Sequence, residues 1–376
     1  RRVLESDYIP PEELILFRDK EKERLNLVFR NFIKSPTHLV IYGLSGTGKT
    51  MLARFLMQKH KYRTLNEKII YINAASKRTE LSFLMELIKQ IGIGARGRSI
   101  AEHYNFLEEI MKKYKLKILL IIDEIDKYLN SSGDDLLYNL LEIGGISLLM
   151  ITNNVLCFDK IEDRVKSRLG GMPKQLFTPY NSEQLLEILR KRAELAFKKG
   201  VVGEGVLEKI ASYAAQEHGD ARKAISLLKM CGEVAEERKM KRITVDVVDY
   251  AYESLESNEV EKIVSSFPIH VKLTLLALCV SMLKEKTNQV TISELYNTYT
   301  NLTKYLHVRT LTDRRVRDFI WEIENTGLIY ADKLRFSRER ILKLGVPFDV
   351  IMNALIKSCD LVKEIPEVLE WTKEKR

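Results

Sequence analysis

An eight-residue segment at positions 43–50 constrains the fold of this chain more than any other feature. It reads Gly-Leu-Ser-Gly-Thr-Gly-Lys-Thr, follows the apolar run of residues 38–42 directly and precedes a helical pattern. This order matches G-x-x-x-x-G-K-[ST], in which glycines let the backbone curl so that its N–H groups can surround phosphates. A strand, a phosphate-binding loop and a helix are therefore predicted, and together they require a layered α/β domain.

The loop supplies most of the candidate nucleotide-binding residues. Lys49 would neutralise the phosphates, and the Thr50 hydroxyl would be a ligand of Mg²⁺. The helix that begins after the lysine adds the positive end of its dipole. The motif predicts ATP or ADP, with Mg²⁺, as the cofactors. The candidate residues are Gly43, Leu44, Ser45, Gly46, Thr47, Gly48, Lys49, Thr50 and Met51.

Four further apolar runs have the length of strands, and helical patterns separate them. The runs at residues 118–122 and 148–151 are apolar on both faces, as the central strands of a parallel sheet must be. This alternation predicts a mainly parallel, five-stranded sheet. The four runs are residues 68–72, 117–122, 147–151 and 175–178.

Two acidic residues come at the end of the third predicted strand. Asp123 and Glu124 follow it directly, so they would lie at the carboxyl edge of the sheet, where parallel sheets bind ligands. Asp123 is expected to hold the Mg²⁺ shell, and Glu124 to polarise the attacking water as general base. The next strand ends in Asn153 and Asn154. An amide there would hold the water or contact the γ-phosphate, or else would simply cap a loop.

After Pro179 the chain is predicted to be helical, with no further strand in this part. Ser182 is expected to cap the first helix. A small helical module attached to the sheet domain is therefore predicted, and the polar residues 257–259 mark its end. The four helices cover residues 182–199, 205–217, 220–237 and 245–255.

The pattern changes again from residue 270. Thr291 and Glu294 form a capping box at the start of the second helix of this part. Three helices followed by a β-hairpin are the order of a winged-helix domain. The helices are predicted at residues 270–284, 291–306 and 312–325, and the hairpin strands at 327–330 and 334–343. The predicted domains are thus 1–180, 181–258 and 259–376.

Charge and composition favour a polyanionic partner. Lys and Arg number 61 against 52 Asp and Glu, a formal net charge of +9, which favours nucleic acid unless it only solvates the surface. Four distant cysteines without a CxxC pair predict a reducing compartment, and scattered histidines argue against structural zinc. The most apolar helical stretch, residues 273–283, is too short to cross a bilayer, so no membrane partner is expected.

The helix predicted from Thr312 has the amphipathic pattern of a recognition helix. Steps of 100° place four apolar residues on one face, to be buried: Val316, Phe319, Ile320 and Ile323. The candidate DNA contacts on the rest of the helix are Arg314, Arg315, Arg317 and Trp321. Recognition helices read base edges near their N-terminus, where these arginines stand. The alternative is a solvated helix packed against another domain.

The hairpin that follows carries further cations. Lys333, Arg335 and Arg338 alternate so that several share one face, which suits contacts with phosphates or the minor groove. The turn reads Tyr-Ala-Asp-Lys rather than glycine-rich sequence, which argues against deep insertion into the minor groove.

Taken together, these elements resemble the AAA+ ATPases and, within them, the archaeal origin-recognition initiators of the Orc/Cdc type. Residues 43–50 match Walker A, residues 121–124 match Walker B, and residues 151–153 match sensor 1, which favours Asn153 over Asn154. Residues 219–222 resemble sensor 2, which implies that Arg222 reaches the γ-phosphate from a helical lid. The resemblance implies an α/β AAA+ P-loop domain with an α-helical lid and a C-terminal winged-helix domain.

Four further segments share this resemblance. Residues 163–168 resemble the arginine-finger box, which implies that Arg168 serves a neighbouring subunit, unless it is a surface arginine in a charge cluster. Residues 177–181 resemble the base-to-lid junction, with Tyr180 facing the nucleotide. Residues 15–21, with Arg18, resemble the segment that packs over adenine. The segment of residues 92–99 corresponds to the initiator-specific insertion, where Arg96 and Arg98 would touch DNA, or else forms a flexible surface loop.

The function implied is that of an ATP-regulated origin-binding protein with slow, regulatory ATP hydrolysis. Its expected catalytic residues are Glu124, Asn153, Arg168 and Arg222. Its expected partners are double-stranded origin DNA, paralogous initiator subunits in a homo- or hetero-oligomer, and the replicative helicase, in the cytoplasm at the nucleoid. The alternative is a signal-transducing P-loop ATPase whose winged helix acts in transcriptional regulation.

Overall fold

Five apolar runs form one parallel sheet in the computed structural model, which describes residues 2–5, 7–60, 66–92, 94, 99–169, 171–333 and 340–374. The strands are β1 (Leu39–Tyr42), β2 (Glu67–Asn73), β3 (Lys117–Asp123), β4 (Ile146–Thr152) and β5 (Lys174–Leu176). Their order across the sheet is β2-β3-β4-β1-β5, and every neighbouring pair is parallel. The predicted five-stranded parallel sheet is confirmed.

Helices cover both faces of this sheet. They are α1 (Asp19–Asn31), α2 (Lys49–Lys59), α3 (Glu80–Ile91), α4 (Ile100–Lys113), α5 (Ile125–Ser132), α6 (Asp135–Ile143) and α7 (Asp163–Arg168). Side chains alternate along a strand, so Leu119 and Ile121 of β3 pack with α1 and α2. Leu120 and Ile122 pack with α3 to α6 on the other face. Burial on both faces explains why β3 and β4 are apolar at nearly every position.

The predicted helical module follows the sheet. It consists of α8 (Ser182–Ala196), α9 (Val206–Gln216) and α10 (Ala221–Glu237), which pack on one another. The cap of α8 differs from the prediction. Asn181, not Ser182, is the N-cap, because its side chain accepts from the Gln184 N–H at 2.8 Å while Gln184 reaches back to the Asn181 N–H.

Helix α11 (Val245–Ser266) continues past residue 255, where its end was predicted. The polar residues 257–259 therefore belong to a helix and not to a linker. They lie on its more exposed side, between the buried Ala251 and Val260. The prediction was wrong because an exposed helix face and a loop have similar polar compositions. The chain divides within this helix into two units, Arg1–Asp249 and Tyr250–Arg376. The domain limits given above stay a prediction.

The second unit has its own core around the apolar helix α12 (Ile269–Glu285). It continues with β6 (Val290–Thr291), α13 (Ile292–Tyr305), α14 (Asp313–Glu324), β7 (Ile329–Lys333), β8 (Arg340–Leu344), α15 (Phe348–Ser358) and α16 (Pro366–Glu374). The strands form an antiparallel sheet in the order β6-β8-β7. The winged-helix order is confirmed, and α15 and α16 were not foreseen.

Two local predictions in this unit are also confirmed. Thr291 caps α13 with a complete capping box, in which its side chain accepts from the Glu294 N–H. The four apolar residues of α14 are buried, as the 100° spacing predicts: Val316, Phe319, Ile320 and Ile323. Within the described residues, no helix combines the length and apolarity that crossing a membrane requires.

The start of the helical module packs closely against the end of the sheet through glycines. Gly219 has φ +69°, and a Cβ built there would lie 2.2 Å from the Tyr180 carbonyl oxygen. Gly46 has φ +72°, and its Cβ would lie 1.8 Å from Asp220 Oδ1. Only glycine permits both the left-handed backbone and this approach, so these two positions fix how closely α10 meets the phosphate-binding loop.

Replacing Gly219 by alanine should destabilise the first unit more than the same change at Gly200. Both glycines have positive φ, which costs alanine about 1–2 kcal/mol, but a Cβ at Gly200 meets nothing within 4 Å. We expect Gly219→Ala to lower the free energy of unfolding by roughly 2–4 kcal/mol, because a backbone shift adds to that strain. Urea unfolding of both variants measures the difference, and equal losses would contradict the close approach.

Candidate functional site

A cavity of about 350 Å³ opens at the carboxyl edge of the parallel sheet. The phosphate-binding loop lines it from Gly46 to Met51, and the strand ends contribute Asn73, Asp123, Glu124 and Asn153. Tyr180, Ala221 and Arg222 close it from the side of the helical module. The structure thus gathers many of the polar residues that the sequence predicted for one site, whereas Arg18, Ser45 and Arg168 do not line this cavity. Those it gathers include Lys49, Thr50, Asp123, Glu124, Asn153, Tyr180 and Arg222.

Lys49 begins α2 and is held by the loop itself. Its Nζ donates to the carbonyl oxygens of Gly43 at 2.8 Å and Leu44 at 2.7 Å. The residue is only 6% exposed. Burial, followed by the charge of Arg222, lowers the pKa of Lys49 to about 8. The lysine is therefore a buried cation whose partners are neutral carbonyls, and a phosphate would be a stronger one.

Asp123 ends β3 and accepts three hydrogen bonds. Its Oδ2 accepts from the Thr50 hydroxyl at 2.8 Å and from the Tyr71 hydroxyl at 2.7 Å. Its Oδ1 accepts from the Glu124 N–H at 2.9 Å. The carboxylate is buried, and it stands with a hydroxyl beside the loop. Carboxylate and hydroxyl oxygens suit a hard cation such as Mg²⁺, so this donor set fits the predicted metal.

Glu124 and the two asparagines take different positions at this edge. Glu124 has φ +54°, precedes α5 directly and lines the cavity. Asn153 lines the cavity as well. Asn154 instead caps the short helix Val155–Lys160, because its Oδ1 accepts from the Leu156 N–H at 3.0 Å. The geometry therefore favours Asn153 over Asn154 for contact with a bound molecule.

Arg222 extends from the first turn of α10 to the loop. Its Nη2 donates to the Ser45 hydroxyl. Asp220 caps the helix, since its Oδ1 accepts from the Arg222 N–H at 2.8 Å. The Ala221 N–H donates to the Gly46 carbonyl oxygen at 3.3 Å. Because the guanidinium remains more than half exposed, it can exchange the serine for a phosphate.

Arg18 is buried between the phosphate-binding loop and the junction before α8. Its Nε donates to the Thr47 carbonyl oxygen at 3.1 Å and to the Tyr180 hydroxyl at 3.0 Å, and its Nη2 donates to the Thr178 carbonyl oxygen at 2.6 Å. The residue is 3% exposed and lies behind Thr47 and Tyr180, which line the cavity. Arg18 therefore ties the loop to the junction, and its contact with the nucleotide stays a prediction.

An apolar part of the cavity was largely missed by the sequence reasoning. Arg192 is buried there, donates to the Val3 carbonyl oxygen at 2.9 Å and lies 4.9 Å from the centroid of the Tyr8 ring. The contributing elements are far apart in the chain and share no spacing, so no motif marks them. The apolar lining consists of Tyr8, Ile9, Leu14, Leu16, Ile188 and Ile225. Its shape and chemistry suit the base of a nucleotide.

Arg168 lies away from the cavity of its own chain. Its guanidinium pairs with Glu142 and lies 5.0 Å from the centroid of the Tyr138 ring. The side chain is 40% exposed. The structure thus leaves both predicted alternatives open, a contact with a neighbouring subunit and a surface charge cluster.

The polar face of α14 in the second unit carries three arginines with different partners. Arg315 Nη1 lies 3.4 Å from Asp318 Oδ2, and Arg317 Nε donates to Asp313 Oδ2 at 2.7 Å. Arg314 is exposed and has no ion pair among the residues for which the structure gives contacts. Trp321 is 65% exposed, which is unusual for so large an apolar side chain.

Other predicted contacts fall outside what the structure describes. Arg96, Arg98, Arg335 and Arg338 lie outside the described residues. Lys333 ends β7, where its backbone is paired with Arg340. Arg340 itself is bound within the unit, since its Nη2 donates to Glu324 and to the Ala331 carbonyl oxygen.

Three family models match successive parts of the chain. An AAA domain matches residues 33–156, a Cdc6 AAA+ ATPase-type lid domain matches residues 186–253, and a CDC6 C-terminal winged-helix domain matches residues 262–354. The matches follow the order of the sheet, the helical module and the second unit.

Known proteins resemble the chain over almost its full length. The ORC1-type DNA replication protein 1 of Sulfurisphaera tokodaii is 35% identical over 94% of this chain and 92% of its own. That of Sulfolobus acidocaldarius is 33% identical over 95% and 92%. The structure of the Aeropyrum pernix ORC1 protein in complex with DNA matches with a TM-score of 0.83 at 32% identity, over 99% of this chain and 98% of that one. The crystal structure of Cdc6p from Pyrobaculum aerophilum, at 23% identity and a TM-score of 0.61, supports the fold alone.

The low pKa of Lys49 predicts that nucleotide binding takes up protons under alkaline conditions. With a pKa of about 8 in the free protein, Lys49 is mostly neutral at pH 9 and charged at pH 7. Bound phosphates favour the charged form and raise its pKa. We expect close to one proton to be taken up per ADP at pH 9 and none by this group at pH 7, and affinity to fall as the pH rises above 8. Calorimetric titration in two buffers of different ionisation enthalpy measures the uptake. Equal proton exchange at both pH values would contradict it.

Proposed function

Because this chain belongs to the family of ORC1-type DNA replication proteins, we propose that it is an ATP-regulated initiator that recognises replication-origin DNA. The observation that carries the proposal is the match with the Aeropyrum pernix ORC1 protein, which was solved in complex with DNA and matches nearly the whole chain. The relatives are replication proteins, and the transcriptional alternative is therefore set aside. A protein that acts on origins would work at the nucleoid, in the cytoplasm.

The AAA+ domain makes the chain an ATPase. In the proposed site, the loop N–H groups and Lys49 bind the phosphates of ATP or ADP. Thr50 and Asp123 would hold Mg²⁺, which supplies charge neutralisation for the phosphates when bound. Glu124 takes the proton of the attacking water as general base, and Asn153 orients that water. All of these side chains line the cavity, which supports this division of roles.

The helical module acts as the lid of this site in the proposal. ATP offers Arg222 a γ-phosphate, whereas ADP leaves it with a weaker partner such as the Ser45 hydroxyl, to which its Nη2 donates. A contact that differs between the two nucleotides is what allows them to shift a conformational equilibrium. Hydrolysis would therefore serve as a slow switch of the lid rather than as a source of product.

Arg168 is proposed to complete the site of a neighbouring initiator subunit. It lies outside the cavity of its own chain, and a finger arginine stabilises phosphate charge only when it reaches a nucleotide. A paralogous or identical subunit on DNA would provide that nucleotide. Recruitment of the replicative helicase by such an assembly is the further step of the proposed function.

The polar face of α14 is proposed to read the origin sequence. Its arginines stand in the first turns of the helix, where recognition helices contact base edges, and Trp321 offers an exposed apolar surface. The cations of β7 and of the hairpin, with Arg96 and Arg98, would contact phosphates. Such contacts position a protein on a duplex without reading it.

The proposed function is tested by footprinting on origin duplexes, with and without ATP, followed by recruitment of purified helicase. Protection of defined sites supports it. An absence of affinity for duplexes of any sequence at modest salt would exclude it, and binding without helicase recruitment would exclude the loading step.

Glu124→Gln should separate nucleotide binding from hydrolysis. The amide keeps the size of the side chain but cannot take up a proton from water, so ATP should bind with its affinity changed less than threefold. We expect the hydrolysis rate to fall by about 10²–10⁴-fold, the usual contribution of general base catalysis. Single-turnover hydrolysis and equilibrium binding measure the two quantities. A variant that hydrolyses ATP at the original rate would rule out Glu124 as the base.

Arg314→Ala should weaken binding to the preferred duplex more than Arg317→Ala does. Arg314 has no ion pair in the described structure, whereas Arg317 shares its charge with Asp313 at 2.7 Å. If Arg314 contacts a base, its loss should cost roughly 1–3 kcal/mol on the preferred sequence and relax the preference. Fluorescence anisotropy with specific and random duplexes over a range of salt measures both effects. An equal loss on all sequences would instead identify Arg314 as a phosphate contact.

A further inference from the structure

Tyr71 contacts the carboxylate of the proposed metal site, although no motif includes it. Its hydroxyl donates to Asp123 Oδ2 at 2.7 Å, and the same oxygen accepts from the Thr50 hydroxyl at 2.8 Å. The Glu124 N–H donates to the other oxygen, Oδ1. Tyr71 is thus the one side chain outside the two nucleotide motifs that bonds Asp123 among the described residues.

The register of the sheet places Tyr71 at this point. On the edge strand β2, Tyr71 is paired with Ile121 of β3, and Asn73 is paired with Asp123. The ring lies on the face covered by α1 and α2, since Tyr71 packs with the apolar cluster of that face. A long phenol side chain is therefore needed to reach the end of the neighbouring strand from two positions back.

Both ends of Tyr71 are held by neighbours. The Gln90 side chain donates to the Tyr71 carbonyl oxygen at 3.1 Å, which fixes the strand. Arg54, on α2 one turn after Thr50, places its guanidinium 4.5 Å from the centroid of the ring. A cation over an aromatic face is attractive. The hydroxyl therefore has a fixed position, and its approach to Asp123 does not depend on a free rotor.

The hydroxyl acts as a proton donor toward Asp123. An ionised carboxylate can only accept, so the proton of this hydrogen bond belongs to the Tyr71 hydroxyl. Thr50 also points its proton at Asp123, which leaves the lone pairs of the Thr50 oxygen for a cation. An ionised carboxylate that accepts from two hydroxyls and an N–H is held in one orientation.

We propose that Tyr71 is a positioning residue for the divalent cation of the nucleotide site. By holding Asp123 it also holds the Thr50 hydroxyl in the orientation that a Mg²⁺–nucleotide complex requires. Partners of metal ligands commonly influence affinity for the metal through such orientation. The inference rests on the proposed nucleotide-binding function and adds to it Tyr71, a residue of the cavity lining that belongs to neither nucleotide motif.

The experiment compares Tyr71→Phe with the unmodified full-length protein. Affinity for a non-hydrolysable ATP analogue is measured with Mg²⁺ and with EDTA, and the ratio of the two gives the gain due to the metal. We expect the ratio of the two affinities to be roughly three- to tenfold smaller in the variant than in the unmodified protein, which is the effect of one hydrogen bond. Electron paramagnetic resonance of Mn²⁺ with the same analogue should show a half-saturation concentration raised by a similar factor.

Tyr104→Phe is the matched control. The Tyr104 hydroxyl also donates to a carboxylate, Glu80 Oε1 at 2.5 Å, in the same unit, but it does not line the cavity. Its loss should leave the metal gain unchanged. The melting temperatures of both variants show whether each remains folded, and the ratio is measured below the lower of the two.

Each possible result either supports or overturns the proposed role of Tyr71. A metal gain reduced in Tyr71→Phe but not in Tyr104→Phe supports it. An equal gain in Tyr71→Phe and the unmodified protein, or equal reductions in both variants, overturns the role of Tyr71 while leaving the proposed function intact. If Mg²⁺ has no effect on the unmodified protein, the metal assignment of the proposed function fails first, and the inference fails with it.

Discussion

The close packing of the phosphate-binding loop against the first turn of α10 is the constraint on which the candidate site depends. There is no space for a side chain between Gly46 and Asp220, and a backbone hydrogen bond from Ala221 joins the loop to the helix. The loop, the junction at Gly219 and the start of the helical module therefore move together or not at all. Because packed elements change between discrete arrangements, a nucleotide that alters the loop must act on the position of α10.

The two cations of the site, Lys49 and Arg222, make hydrogen bonds to protein oxygens that a bound phosphate would replace. Lys49 is held by the carbonyls of Gly43 and Leu44, and Arg222 donates to the hydroxyl of Ser45 and lies 3.9 Å from Asp220 Oδ1. The burial of Lys49 lowers its pKa. The cost of removing the lysine from water is thus already included in the stability of the fold. The bonds of these cations to carbonyl and hydroxyl oxygens are already charge-assisted, and a phosphate adds the attraction of its negative charge, so an exchange of partners favours binding.

The sheet and the polar edge of the site could be predicted because local signals specify them. Strands that are apolar on both faces and a complete loop motif fix the sheet, and parallel strands bring Asp123, Glu124 and Asn153 to one edge. Contacts between residues that are far apart in the chain leave no local pattern in the sequence. The partners of Arg18 lie about 30 and 160 positions further along the chain, so its sequence context could not reveal that its donors join the loop to the junction before α8. Tyr71 was missed for the same reason, since only the register of β2 against β3 brings it to Asp123.

In the second unit, the positions of the charged side chains matter more for DNA binding than the net charge does. Residues 250–376 contain 19 Lys and Arg against 18 Asp and Glu, so nearly all of the chain's net charge of +9 lies in the first unit. Attraction to phosphates also carries no sequence information. On α14 the acidic residues Asp313 and Asp318 lie beside Arg317 and Arg315 and reduce the nonspecific attraction where base reading is expected. Arg314 and Trp321 remain exposed on the same helix, and they are the side chains on which the proposed recognition of sequence would depend most.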